Sequence, residues 1–437
     1  MRRLPWLWNL IALSLILTSD AAIAGSFEDA IAAYKRKDYA SSLSLFRSLA
    51  EQGDTRAQGN IGVMYSHGEG VPQDYTEALK WYRMAADQGD AHAQYNIAVL
   101  YDNGRGVAQD YAEALKWYRL AATKGDVLAH GNLGVMYVYG RGVTQDFTEA
   151  VKLFRVAAEH RDAQAQDNLA IMYATGRGVP QDEAEAIKWF DLAARQGNAQ
   201  AQYNLGVRYA EGESVKQDYG VAVQWYRLAA DQAYSEAENN LGAIYEAGLG
   251  VAQDDLIAAR WFYRAAVHKN VKAETNLGIM YANGKGVAQD FGEARKWFQL
   301  AAYHGEVNAQ SNLGVLYATG RGVPQSYEEA ARWYGLAASR GDAAAGSVLE
   351  KIRSAQAAQT QEIARVQRLE AQEIARVQRL EEERRVRAEM PSAPPRPVAR
   401  VEPTVFWFSA PVMEQRTVHI GPPLSIGFRM GRRFGRR

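Results

Sequence analysis

A short glycine loop is the first feature of this sequence whose residue types could bind a ligand. Gly140-Arg141-Gly142 is followed by Gln145 and Asp146 and then by a segment with helical periodicity. Backbone N–H groups at the start of a helix bind phosphate, and a short Gly-x-Gly turn is compatible with such a site. The alternative is a turn, in which the glycines supply positive φ at one helix end and the aspartate caps the next helix. An aspartate at that place would repel phosphate, which favours the turn.

Histidines and carboxylates are the other residues whose types could bind a metal or act in catalysis. His268 and His304 lie 36 residues apart near the ends of two helix-like segments. No carboxylate recurs beside both, so we interpret them as helix-terminal histidines rather than as a metal pair. The sequence contains no cysteine, which excludes disulfides, thiolate metal sites and lipid attachment at a cysteine.

Motifs of known enzyme chemistry are not found. The sequence shows no serine elbow, HExxH motif or P-loop, and its paired carboxylates occur only in a repeated helix-capping pattern. A glycosidase would need two carboxylates facing each other across a cleft, which periodic caps do not provide. We therefore predict a non-catalytic protein with no cofactor and no metal.

The recurrence of the glycine loop decides between ligand site and turn. Its first glycine returns every 36 residues, at Gly68, Gly104, Gly140, Gly176, Gly212, Gly248, Gly284 and Gly320. A fixed period of this length is typical of a solenoid, in which each repeat buries its faces against its neighbours. A ligand loop normally occurs once in a domain, so the recurrence favours the turn.

Each repeat contains two helix-like segments, one on either side of the glycine loop. The first places Ala, Leu or Ile, and Tyr at positions i, i+4 and i+8, as in Ala201, Leu205 and Tyr209. These positions form one stripe of an α-helix. A small residue follows the Leu, such as Gly206, and suits close approach of two helices despite its cost of about 1 kcal/mol relative to alanine.

The second segment begins with a capping signature and carries a recurring tryptophan. Asp74 is followed three residues later by Glu77, a capping-box pattern that six repeats share. Tryptophans such as Trp81 lie among alanines at helical spacing, which is more typical of a core than of a ligand platform. An asparagine also recurs in the first segment, from Asn60 to Asn312, and we expect it to bond backbone in an adjacent loop.

The repeated pattern NLGxxYxxGxGVxQDxxEAxxWxxxAAxxG resembles the Sel-one-like repeat family, longer-looped relatives of tetratricopeptide repeats. The resemblance covers about residues 25–350 and implies an all-α fold, a right-handed α-solenoid of about nine antiparallel helix pairs. It also implies an adaptor that binds other proteins. Some exported members rich in paired cysteines are linked to hydrolysis of β-lactams or to binding of cell-wall fragments. The lack of cysteine separates this chain from that subgroup, which remains the enzymatic alternative.

The N-terminal residues predict export. Arg2 and Arg3 precede an apolar stretch of fourteen residues, Leu4 to Leu17, and Ala22-Ile23-Ala24 follows it. This pattern is typical of a cleaved signal peptide over residues 1–24. The apolar stretch is short for a membrane span. We expect a mature protein that begins at Gly25 and lies in the periplasm or is secreted, with an uncleaved anchor as the alternative.

The remaining boundaries follow from composition. The solenoid is predicted over residues 25–350, with full repeats at about 55–342 and a cap at either end. It carries 31 Lys and Arg against 40 Asp and Glu, whereas residues 351–437 carry 17 against 9. The two parts therefore have opposite net charge and invite different partners, or each other.

A charged helix and a basic tail are predicted after the solenoid. QEIARVQRLE occurs at 361–370 and again at 372–381, an eleven-residue period that gives a narrow apolar seam. We predict one helix over about 343–389, roughly 70 Å long at ~1.5 Å per residue. Its larger part falls in the charged helical segment, which we place at 351–390. Three arrangements of this helix are consistent with its sequence: pairing with itself or another helix, docking on the solenoid, or a solvated single helix.

The Pro/Arg-rich residues 391–437 are predicted to be disordered. They hold eight arginines against two glutamates. The partners that suit them are anionic lipid or cell-wall material, which gives a membrane-surface tether as a second alternative function, or the acidic solenoid itself. Nucleic acid is not expected for an exported protein.

The predicted function is therefore a protein–protein interaction scaffold or adaptor in the periplasm or cell envelope, where it would regulate a signalling or assembly complex. Its recognition surface is expected on the first helices, at polar and aromatic positions that differ between repeats. The fifth repeat departs most from the pattern, with Ser214 in place of a glycine and Val221 in place of the capping glutamate. The candidate protein-binding residues are Tyr95, Asp102, Tyr139, Asp167, Tyr203, Arg208, Glu211 and Glu246.

Overall fold

The structure, a computed structural model, describes residues 21–389. All regular secondary structure in that range is α-helical. The predicted signal peptide, except for its last four residues, and the predicted disordered tail lie outside the described residues. The chain divides into an N-terminal unit that ends at Gln232 and a C-terminal unit that begins at Ala233. In both, helical hairpins pack in chain order, and this confirms the predicted all-α solenoid of about nine repeats.

The N-terminal unit contains twelve described helices, which alternate between the first and second helix of a repeat. Their bounds are α1 (Ala21–Lys35), α2 (Tyr39–Glu51), α3 (Thr55–His67), α4 (Tyr75–Asp87), α5 (Ala91–Asn103), α6 (Tyr111–Thr123), α7 (Val127–Tyr139), α8 (Phe147–Glu159), α9 (Ala163–Thr175), α10 (Glu183–Arg195), α11 (Ala199–Glu211) and α12 (Tyr219–Asp231). The first pair lacks the glycine loop, as predicted for a shortened first repeat.

The C-terminal unit contains seven described helices. They are α13 (Ser235–Ala247), α14 (Asp255–Val267), α15 (Val271–Asn283), α16 (Phe291–Tyr303), α17 (Val307–Thr319), α18 (Tyr327–Ser339) and α19 (Ala343–Glu389). The last helix is 47 residues long, which confirms the predicted helix over 343–389. It runs through the boundary predicted at residue 350. Its buried residues, Ala345, Leu349 and Ile352, join a cluster with residues of α18.

The glycine loop is a turn between two capped helices. Gly140 ends α7 with φ 65, and Asp146 accepts a hydrogen bond from the backbone N–H of Glu149 at the start of α8, at 3.0 Å. A Cβ atom added to Gly142 would lie 2.4 Å from the carbonyl oxygen of Tyr111 in the preceding repeat. The loop therefore caps the ends of two helices and packs one repeat against the next. The turn interpretation is confirmed.

A glutamine that sequence reasoning left without a role completes this loop. The Gln145 side-chain N–H donates to the carbonyl of Val138, at 2.7 Å, and so satisfies one of the free carbonyls at the end of a helix. The same bond, to the carbonyl seven residues earlier, recurs at Gln73, Gln109, Gln181, Gln217, Gln289 and Gln325.

The core is a series of clusters of alanine, aliphatic and aromatic residues, one for each hairpin and its neighbour. In one of them Ala150, Phe154 and Leu169 are nearly inaccessible to solvent. The recurring tryptophans, such as Trp81 and Trp117, are partly buried and pack against these clusters. The core interpretation of the tryptophan stripe is therefore confirmed.

The recurring asparagine does not bond loop backbone, and that expectation is wrong. The Asn132 amide donates to the Tyr95 hydroxyl at 3.4 Å, and the Asn204 amide donates to a carboxylate oxygen of Asp167 at 3.2 Å. Both acceptors lie on the first helix of the preceding repeat. Asn60 instead donates to a carbonyl of its own helix. Where its amide bonds a side chain of the preceding repeat, the asparagine joins successive repeats.

Candidate protein-binding surface

The eight predicted residues all lie on first helices, but most of them contact other residues of the chain. Seven belong to the N-terminal unit, on α5, α7, α9 and α11, and Glu246 lies on α13 of the C-terminal unit. The structure leaves only Tyr139 well exposed, at 65% of its surface. The others are partly or fully buried, so the expected row of free side chains is replaced by a set of contacts between helices.

Tyr95 and Asp102 belong to one polar network of the N-terminal unit. The Tyr95 ring packs against the ring of Tyr118 with centroids 5.8 Å apart, and the Asn132 amide donates to both hydroxyls, at 3.4 and 3.1 Å. Burial raises the pKa of Asp102, an effect opposed by Arg141 and by the Tyr118 hydroxyl. The network holds the Tyr95 ring in one orientation on the first-helix side.

Tyr203 repeats this arrangement three repeats later. Its ring packs against Tyr226 of α12, again with centroids 5.8 Å apart. Tyr95 and Tyr203 are both partly exposed, and each stands at the same repeat position beside a more deeply buried tyrosine. Glu211, at the end of α11, is also partly exposed. These residues form the accessible part of the predicted surface in the N-terminal unit.

Asp167 is the most unusual of the candidates because it is a fully buried carboxyl. Its exposure is 0%, and one oxygen accepts from the Asn204 amide while the other has no hydrogen-bond partner in the described residues. Burial raises its pKa to about 7, and the Asn204 bond only partly opposes this. Asp167 cannot touch a partner protein directly, so its role is in the contact between α9 and α11.

Arg208 is likewise part of an internal contact. Its guanidinium donates to a carboxylate oxygen of Glu183 at 3.1 Å, with both side chains more than four-fifths buried. Its charge also lies over the Phe190 ring. Arg208 stands where other repeats carry Met, Leu or Ile, and Glu183 stands where most carry an aromatic residue. Charge reversal at Arg208 would therefore test folding rather than binding.

In the C-terminal unit, Glu246 pairs with Lys285 at 3.5 Å. The position that Asp167 occupies in the other unit is held by Asn239, which accepts from the Asn276 amide at 3.1 Å. An amide pair thus stands in this unit where an acid–amide pair stands in the other.

A buried ion cluster in the C-terminal unit was missed at the sequence level. Glu238 is 0% exposed and pairs with His268 at 2.7 Å and with Arg264 at 3.1 Å. Glu274, also buried, lies near His304, and burial raises its pKa while that histidine opposes the rise. The expectation that no carboxylate accompanies both histidines is therefore wrong. The signal was present, since Glu238 and Glu274 replace a glutamine found in most repeats.

The contacts described above join and orient side chains of neighbouring helices. Within residues 21–389, no group of three or more His, Asp and Glu side chains could hold a metal ion. Nor is any helix of that range long and apolar enough to cross a bilayer. What the geometry provides is a constant frame of packed helices that presents different side chains in different repeats.

This fold defines an α-solenoid of repeated helical hairpins, a class of protein suited to protein–protein interaction. The Sel1 repeat model matches nine segments, at residues 33–54, 55–90, 91–126, 127–162, 163–198, 199–234, 235–266, 271–306 and 307–342. The chain belongs to the Sel1 repeat family, which confirms the resemblance noted from its sequence.

Two solved structures show the same relationship. The protective antigen c5321 of uropathogenic Escherichia coli strains, which displays an SLR fold, is 37% identical, with a TM-score of 0.64 over 71% of this chain and 67% of that one. A Sel1 repeat protein from Oxalobacter formigenes is 36% identical, with a TM-score of 0.53 over 55% of this chain and 99% of that one. Among curated proteins, no sequence matched this chain.

Proposed function

We propose that this protein is a non-catalytic scaffold of the bacterial cell envelope that binds another protein through the first helices of its N-terminal unit. The observation that carries the proposal is the pair of partly exposed tyrosines, Tyr95 and Tyr203, at one repeat position. Each is oriented by a second tyrosine 5.8 Å away. Tyrosine offers a large apolar ring with a polar end, and it is enriched among the residues that dominate protein interfaces.

The repeat position of these tyrosines varies, whereas the helical hairpin that carries it is the same in each repeat. It is occupied by Gly59, Gly131, Asp167, Asn239, Thr275 and Ser311 in other repeats. The same helical frame therefore accepts small and large side chains at this place. A frame that tolerates substitution can vary its contacts without loss of fold, which is how repeat proteins acquire different partners.

The tyrosines can be tested by truncation to serine, the residue that Ser311 already places in this position. Mature protein (residues 25–437), the Tyr95→Ser/Tyr203→Ser double variant and a Tyr303→Ser control would be crosslinked in envelope extract, and captured proteins quantified by mass spectrometry. Tyr303 is 87% exposed on a second helix, so its loss should leave capture unchanged. We expect the amount of partner captured by the double variant to fall at least about tenfold. A loss of 1.4 kcal/mol in binding free energy corresponds to a factor of ten.

Equal capture by all three proteins would contradict the assignment to this surface. Loss of capture by the control alone would indicate a surface on the second helices instead. The cell-wall alternative is tested with the same proteins, because retention of muropeptides or turnover of a β-lactam by the mature protein would replace the scaffold proposal. Circular dichroism melting of each variant separates loss of binding from loss of fold.

Export is the second part of the proposal and has a separate test. It is supported by the arginine-led apolar stretch and by Ala22-Ile23-Ala24 in the sequence. The full chain, expressed in a Gram-negative host, is expected in the periplasmic fraction with Gly25 as its N-terminal residue. An Ala22→Arg/Ala24→Arg variant should retain its signal peptide uncleaved, because cleavage requires a small-x-small site. Recovery of the uncleaved parent in the cytoplasm would refute export.

A further inference from the structure

We propose that helix α19 pairs with the same helix of a second copy of this chain through an apolar seam. The seam is a row of six aliphatic residues, namely Ile363, Val366, Leu369, Ile374, Val377 and Leu380. This inference concerns the C-terminal helix and is independent of the partner proposed for the first helices of the N-terminal unit.

The seam is an apolar face that nothing in the described chain covers. Its six side chains are between 43% and 59% exposed, whereas the buried residues of α19 end at Ile352. Aliphatic side chains scattered singly on a surface need no explanation, but a line of six along one helix does. Burying them removes apolar area from water at about 25 cal/mol per Å².

The seam continues the stripe by which α19 packs against α18. Ile352 is 6% exposed in the cluster with α18, and Ile363 and Ile374 follow at successive intervals of eleven residues. Eleven residues complete three helical turns, so the three isoleucines lie along one line of the helix. The face that binds a helix at the start of α19 is therefore the face that lies open further along.

The chemistry beside the seam suits a second copy. Residues 361–381 contain four glutamates and four arginines, and neighbouring pairs such as Glu362 with Arg365 and Glu373 with Arg376 are 3.6 and 3.5 Å apart. The segment is neutral, so two copies approach without net repulsion. A strongly basic or acidic partner has no corresponding charge to recognise on it.

The repeated decapeptide makes the seam complementary to itself. Residues 361–370 and 372–381 are identical, so a helix that fits one copy fits both. In a parallel pair each seam residue meets its own copy. In an antiparallel pair centred between residues 371 and 372, Val366 meets Val377 and the isoleucines meet leucines. Either arrangement closes the seam with knobs-into-holes contacts between aliphatic residues.

The lack of cysteine in this chain allows a direct test with single cysteines in the full mature protein. Val366→Cys and Val377→Cys place a thiol in the seam, and Ala375→Cys places one on the opposite side of the helix. Under mild oxidation, a parallel pair should give disulfide-linked dimers from each seam variant by itself. An antiparallel pair should give them only when the two seam variants are mixed. Ala375→Cys should remain uncrosslinked.

A second measurement protects the test against loss of the helix in a variant. Light scattering at micromolar concentration should give the mass of a dimer for the parent and of a monomer for Val366→Glu/Val377→Glu. The solenoid part of the circular dichroism melt should be unchanged. A monomeric parent, or crosslinking no stronger in the seam than at Ala375→Cys, would overturn the proposal and would leave the seam to another occupant.

Discussion

Asp167→Asn is expected to stabilise the protein at pH 8 and to remove a pH dependence that the parent shows. The parent carboxyl has its pKa raised to about 7 by burial, against an ordinary value of 3.8. Between these values the folded state keeps a proton that the unfolded state has lost. The carboxyl therefore stabilises the fold fully only below the ordinary pKa, and that contribution is lost as the pH rises toward and through 7.

The magnitude follows from the interval between the two pKa values. Each unit corresponds to 1.36 kcal/mol, so the advantage of Asp167→Asn over the parent should grow by roughly 2–3 kcal/mol between pH 5 and pH 8. We would measure thermal unfolding and hydrogen exchange of α9 at both pH values. Exchange is informative because repeat proteins can open locally rather than in one step.

The chain provides the matched control for this substitution. Asn239 occupies the same repeat position in the C-terminal unit and already pairs with Asn276. Asn239→Asp should introduce the pH dependence there that Asp167→Asn removes in the N-terminal unit. Identical pH profiles for the parent and Asp167→Asn would show that the carboxyl is solvated in solution or ionised at little cost.

Gly142→Ala is expected to destabilise the N-terminal unit strongly. Gly142 has φ 66, and an added Cβ atom would lie 2.4 Å from the carbonyl oxygen of Tyr111. The positive φ by itself costs an alanine about 1–2 kcal/mol. The overlap with backbone of the preceding repeat should add about 1–3 kcal/mol, because neither atom belongs to a flexible side chain.

Gly125→Ala separates these two contributions. Gly125 has φ 83, yet an added Cβ atom would have no neighbour within 4 Å. It should therefore lower the melting temperature only by the amount that its backbone conformation explains, whereas Gly142→Ala should lower it about twice as far or more. Equal effects would mean that successive repeats relax apart at the loop without cost.

The fifth repeat offers the reverse change. Ser214 stands where Gly142 stands in the third repeat, and it has φ 58, in the region that favours glycine. Ser214→Gly is expected to raise stability in the same melting experiment by relieving this conformation, by about 1 kcal/mol. No change would show that the serine side chain compensates for its backbone through contacts of its own.

Much of the fold was readable from the sequence because its determinants are local. The period of 36, the aspartate caps and the glycine at each first-helix end involve hydrogen bonds between residues a few positions apart. Asp146 capping α8 and Gly140 ending α7 are examples. Their spacing is sufficient to place both helices and the turn between them, and the length of α19 followed from an uninterrupted helical composition.

The candidate site was predictable only in part, because its contacts join residues far apart in sequence. Arg208 bonds a residue 25 positions earlier, and Asn204 bonds one 37 positions earlier. Whether a variable residue on a first helix faces solvent or its neighbour depends on how successive repeats stack. The sequence marked Asp167 and Arg208 as unusual but did not show that both are internal.

The sequence by itself determined the repeat, its two helices, its capped loop and the long C-terminal helix. Only the tertiary structure decided which polar residues pair across repeats, as Arg208 does with Glu183 and Glu238 with His268. The physical reason is that helix caps and turns satisfy backbone groups within one or two turns of chain. The protonation and accessibility of a side chain, by contrast, depend on every helix packed around it.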